Sequence, residues 1–162
     1  MKKINHQPKI VLGSLILLSL VLFSFTLKTA ETLFGGEGFE VYLNNKLVLQ
    51  QFGKDLNTAK TIKFDQSASN GELAIKYHHC GQAGTSRVVS IRDEQNVVLK
   101  QWKFGDTQDA STKLCCSMKD IFALPKLKEG KTVNLYYSST ELPKGRLLAI
   151  LSVVNKSNAA QP

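Results

Sequence analysis

Between residues 39 and 154 apolar and polar side chains alternate in short runs, and turn-forming residues interrupt them at roughly ten-residue spacing. A period of two is that of a strand resting one face on a core. The pattern predicts strands at 39–43, 46–52, 61–64, 72–79, 85–92, 96–104, 112–116, 131–138 and 146–154. Asn44-Asn45 suits a two-residue hairpin, because Asn tolerates positive φ. Asp93-Glu94-Gln95 and Leu142-Pro143-Lys144-Gly145 supply two further hairpin links. In 96–104 either Val97 and Leu99, or Val98, Trp102 and Phe104, face inward. The last strand is apolar on both faces, as for a central strand or one covered on both sides. One helical turn is expected at 118–124, capped by Ser117 and closed by Pro125.

About eight or nine short strands without βαβ alternation or internal repeat make the chain all-β. The expected architecture is an antiparallel β-sandwich of immunoglobulin-like layout. A small β-barrel is the alternative. The apolar fraction of 43% suffices for a packed core.

Ahead of this domain, Lys2, Lys3 and Lys9 precede a run from residue 10 to 27 without charge, dominated by Leu, Ile, Val and Phe. A basic leader before an apolar stretch has the form of an export signal, here of bacterial style. As a helix the run is about 27 Å long, close to the thickness of a bilayer core. Residues 1–30 are therefore read as a signal peptide, or as an uncleaved N-terminal anchor in the inner membrane. Lys28 makes a poor cleavage site before Ala30. Residues 31–38, with three glycines, are read as a flexible lead-in, 39–154 as a single β domain and 155–162 as a polar tail.

The net charge of +8 owes four lysines to the leader; past Ala30, 17 basic residues face 13 acidic ones, for a balance of +4. They are interspersed, with no basic face carrying stacking aromatics, so the pattern does not point to nucleic acid.

All three cysteines and two of the three histidines lie in two short segments, Tyr77-His78-His79-Cys80 and Leu114-Cys115-Cys116-Ser117-Met118. In an exported protein thiols pair. Strand parity sends Cys80 and Cys115 to the outer face and Cys116 inward, which favours a Cys80–Cys115 disulfide and leaves Cys116 as a buried thiol. Such a bridge contributes on the order of 3–4 kcal/mol. The alternative use of this chemistry is a soft-metal site for copper or zinc, drawn from His78, His79, Cys80, Cys115, Cys116 and Met118. Against it, His78 and His79 point to opposite faces of one strand, and no C-x-x-C or H-x-x-x-H spacing occurs.

Enzymatic signatures are weak. Cys116 and His79 are the only nucleophile–base pair to suggest itself. Gly35-Gly36-Glu37-Gly38 lacks the Lys-Ser/Thr of a phosphate-binding loop. The expectation is an exported, non-enzymatic β-sandwich without cofactor, located in the periplasm or on the cell surface of a bacterium. It would act by binding an envelope protein or glycan, or as an envelope assembly component. Trp102, Tyr42, Tyr77, Tyr136 and Tyr137 are the rings available to a sugar or peptide, with Tyr136 the one expected to face out. A membrane is touched only through the N-terminal segment, if that is retained.

Overall fold

A computed structural model describes residues 36–154. The leader or anchor at 1–30, the start of the lead-in and the tail at 155–162 lie outside the described residues. Among the described residues no helix is long and apolar enough to cross a membrane.

Among the described residues nine strands form two sheets. They are β1 (Gly38–Leu43), β2 (Lys46–Phe52), β3 (Lys60–Phe64), β4 (Glu72–His78), β5 (Arg87–Arg92), β6 (Val98–Phe104), β7 (Leu114–Ser117), β8 (Val133–Ser138) and β9 (Arg146–Val153). The first sheet runs β2-β1-β4-β7 and the second β3-β9-β8-β5-β6. Both stay open at their edges, so the molecule is a sandwich and not the barrel. The expected antiparallel pairing holds with one exception: β3 lies parallel to β9. A 3-10 turn at Gly53–Asn57 carries the chain from β2, in the first sheet, to β3 in the second. Gln51, buried, pins that turn by donating from Nε2 to the carbonyls of Asp55 and Thr58, both at 2.8 Å.

The hairpin at Asn44-Asn45 forms as its residues dictate, with φ of 51° and 64°. Asn44 also docks the hairpin on β4: its Oδ1 accepts the Glu72 N–H at 3.0 Å. Strand parity sorts the core. From the first sheet Phe39, Val41, Leu73, Ile75, Leu114 and Cys116 point inward; from the second, Val89, Ile91, Val133, Leu135, Ala149 and Leu151. Each large apolar side chain buried this way contributes about 1.5–3 kcal/mol. Trp102 and Phe104 take inward positions of β6, opposite Val89 and Arg87, but a bulge where β6 pairs with Ile91 and Arg92 breaks the alternation: Leu99 packs on the core and Val98 is 46% exposed, so the inward set takes members from both expected faces.

The helical region differs from expectation. Helix Met118–Phe122 begins after Ser117, whose side chain makes no capping bond, and Pro125 opens a second turn, Pro125–Lys128, instead of closing the first. Proline is well suited to a first helical position, where its missing N–H is not needed. Met118, Ile121 and Leu127 anchor these turns in the core.

Candidate functional site

At one end of the sandwich the inward positions change from aliphatic to aromatic and charged. On β4 the alternation that buries Leu73 and Ile75 puts Tyr77 and then His79 on the same face. On β8 the same rule follows Val133 and Leu135 with Tyr137. The two tyrosines meet across the sheets, rings 4.3 Å apart and 11° from parallel. Phe39 also stacks on Tyr77, ring centroids 6.5 Å apart and 12° from parallel.

Polar atoms close this stack. Arg146, at the start of β9, donates from Nε to Tyr77 Oη at 2.8 Å and from Nη2 to both carboxylate oxygens of Glu37 at 3.0 Å. Tyr77 Oη in turn donates to Glu37 Oε1 at 2.6 Å. The triad ties the segment entering β1 to strands of both sheets. His79 Nε2 lies 2.9 Å from Tyr137 Oη and 3.4 Å from Ser139 Oγ. Burial pushes the Tyr137 phenol up to about 12 and raises Tyr77 as well, where the Glu37 carboxylate adds to the effect. Burial also lowers His79 below the usual imidazole value. Each of these shifts favours the neutral form of its side chain, the direction in which a packed interior pushes. Ser139 beside His79 has the composition of a nucleophile and base. However, the Ser139 hydroxyl accepts the Leu142 N–H at 3.2 Å, and His79 Nε2 is shared with the Tyr137 phenol. Both side chains are used to fix the 139–142 turn.

The cysteines are not brought together. Antiparallel register sets Cys115 opposite Ala74 and Cys116 opposite Leu73, in the first half of β4. Cys80 lies six residues past Ala74, about 20 Å along the strand direction. A disulfide needs Cα atoms within about 7 Å. The expected Cys80–Cys115 bridge is not formed, and all three thiols are free. Parity assigned faces correctly, with Cys116 buried and Cys115 outward, but parity carries no register. The six soft donors are dispersed in the same way. His78 points outward and meets Glu40 Oε1 at 3.1 Å, His79 points inward, Cys80 sits in an exposed turn at φ 52°, and Cys116 and Met118 are in the core. The six thus divide between the two faces and the two ends of the first sheet, and among the described residues no group of three or more His, Cys, Asp or Glu side chains gathers as a metal site needs. Cys116 and His79 are likewise apart, since Cys116 lies beside Leu73.

Free thiols in these positions predict an order of reactivity. Burial and the Glu72 carboxylate raise the Cys115 thiol to about 11, and burial raises Cys116 further. Thiolate is the reacting form. In the native protein at neutral pH, iodoacetamide is expected to label Cys80 first, Cys115 slowly and Cys116 only after unfolding, as read by peptide mass mapping. Protection of Cys80 and Cys115 together, relieved by reductant, would contradict this geometry.

Outward-facing rings are covered by cations. Lys113 Nζ stands 3.8 Å from the centroid of Tyr42 and the Arg92 guanidinium 4.5 Å from that of Tyr136. Each ring already has a cation–π partner on the face a sugar would stack on.

The sheet edges differ sharply. β7 is only four residues long, β3 carries Lys60 and Lys63, and β6 carries Lys100 and Lys103. Shortness and lysines are the means by which edges are kept from pairing. β2 has seven residues, and its single charge, Lys46, is at its first position. Leu47 and Val48 are 44% and 39% exposed there. A β-bulge against β1 makes Val48 the extra residue, while Leu49, Gln50, Gln51 and Phe52 continue in regular register beyond it. The sequence alternation located this strand but did not show which strands are edges, since that depends on sheet order.

No protein-family model matches the chain, and no curated protein matches it.

Proposed function

We propose that the chain is an exported, non-enzymatic β-sandwich of immunoglobulin-like layout. It acts by binding, as a component of bacterial envelope assembly, and takes an extended segment of a partner protein onto β2. The strand order supports the layout: β1, β4 and β7 are neighbours in one sheet and β9, β8, β5 and β6 in the other, matching strands A-B-E and G-F-C-C′ of that fold. The basic and apolar leader supports export to the periplasm or cell surface. The observation that carries the binding reading is the β2 edge, long and uncharged from Leu47 to Phe52 while the other three edges are short or lysine-bearing. Free main-chain groups on such an edge pair with an added strand, and side chains at alternate positions select it. The cations over Tyr42 and Tyr136 favour a polypeptide over a glycan. The balance of +4 past Ala30 opposes the approach of a second copy and not that of a neutral or acidic segment.

Linear peptides selected from a displayed random library against the purified protein provide the test. Val48→Lys places a charge on an exposed edge position and is expected to weaken their binding at least about tenfold while leaving the melting temperature unchanged. Gln101→Lys on β6 is expected to leave binding as it was. Equal binding by Val48→Lys would overturn the assignment of β2. A protein dimer that Val48→Lys dissociates would give the edge to a second copy instead.

A further inference from the structure

Behind the tyrosine stack lies a small cavity, with room of about 10 Å³ for a water-sized occupant, bordered by Tyr77, Gly84, Arg87, Thr112 and Tyr137. Arg87 is only 6% exposed. Its Nη2 donates to the Gly105 carbonyl at 2.6 Å, and its Nε, buried, has no hydrogen-bond partner. Among the described residues no carboxylate lies within ion-pair distance of it, and none borders the cavity. The nearby acids are committed elsewhere: Glu37 to Arg146 and Tyr77, Glu141 to the Thr85 backbone and hydroxyl, Asp106 to the Ser86 N–H.

A guanidinium never loses its proton in proteins, so Arg87 cannot escape its burial by becoming neutral. A buried charge without a counter-charge is strongly unfavourable. A water in the cavity satisfies Nε but leaves the charge unmatched. We propose that the cavity is a site for one monatomic anion, chloride being the physiological one, held by Arg87 Nε–H. The narrow space, with room for about one water-sized occupant, suits a monatomic anion. It stands apart from β2 and does not depend on the proposed strand addition.

The test is thermal unfolding of the purified protein at fixed ionic strength while chloride replaces gluconate. A site specific to the native state makes the melting temperature rise and then saturate with chloride. Bromide is expected to substitute and sulfate not to. Crystals soaked in bromide are expected to show an anomalous peak beside Arg87 Nε, which needs no variant. Arg87→Met is expected to abolish the chloride dependence, and should it fail to fold, the bromide peak decides. Identical melting curves in chloride and gluconate, or a cavity holding water with no anomalous peak, would overturn the proposal.

Discussion

Tyr137→Ala is expected to lower folding stability by about 3–5 kcal/mol, the range for removing a large buried ring. Tyr137 is 1% exposed and is the largest fully buried side chain among the described residues. It stacks on Tyr77, contacts His79, and supplies the phenol that meets His79 Nε2. Truncation opens a cavity between the sheets and strands the imidazole at once. Tyr137→Phe keeps the ring and removes only the phenol, so its expected cost is about 1 kcal/mol, up to about 3 if His79 is left unsatisfied. Denaturant titrations of the two variants separate packing from hydrogen bonding. A Tyr137→Ala protein within 1 kcal/mol of the parent would contradict the inter-sheet stack. Since domains are stable by only about 5–15 kcal/mol, the predicted loss is a large share of the total.

The second large effect is at Gly84. A Cβ there would stand 2.6 Å from His79 Nε2 and 2.7 Å from Tyr137 Oη. Neither neighbour is a loose side-chain end: the imidazole packs against both Tyr77 and Tyr137, and the phenol belongs to a fully buried ring. Gly84→Ala must displace one of them, at a cost of about 1–3 kcal/mol. Gly105 is the control, because a Cβ there meets nothing within 4 Å. Gly105→Ala is expected to change stability by no more than about 0.5 kcal/mol. Equal behaviour of the two variants would mean that the 83–85 loop does not press on the cluster.

The strands were legible because a period of two survives in the sequence wherever one face is buried. Leu73, Ile75, Tyr77 and His79 point inward as their spacing requires, and His78 points out to Glu40. Register was not legible. Parity says which face Cys80 and Cys115 occupy, but only the pairing of Ala74 with Cys115 shows that they are about 20 Å apart. The parallel β3–β9 pair was hidden for a related reason, since nothing in Thr61, Ile62 or Phe64 specifies which sheet they join. The polar end of the sandwich was missed almost entirely. In sequence Glu37 falls in the glycine-bearing lead-in, and Arg146 is only the first residue of the last strand. A bulge between Leu135 and Tyr136 sets Arg146 opposite inward-facing Tyr137, which brings its guanidinium to Tyr77 and Glu37. One signal was available: an arginine at the first position of a strand apolar on both faces is placed where a buried partner is needed.

The β2 edge is the centre of the functional reading, and backbone amide exchange tests it most directly. With a library-selected peptide bound, the amides of Leu49, Gln50, Gln51 and Phe52 that face away from β1 are expected to slow markedly, while those of β3, β6 and β7 keep their rates. That pattern is the signature of a new strand in the first sheet. Protection confined to the β6 edge or to the Arg92–Tyr136 face, with β2 unchanged, would contradict the account.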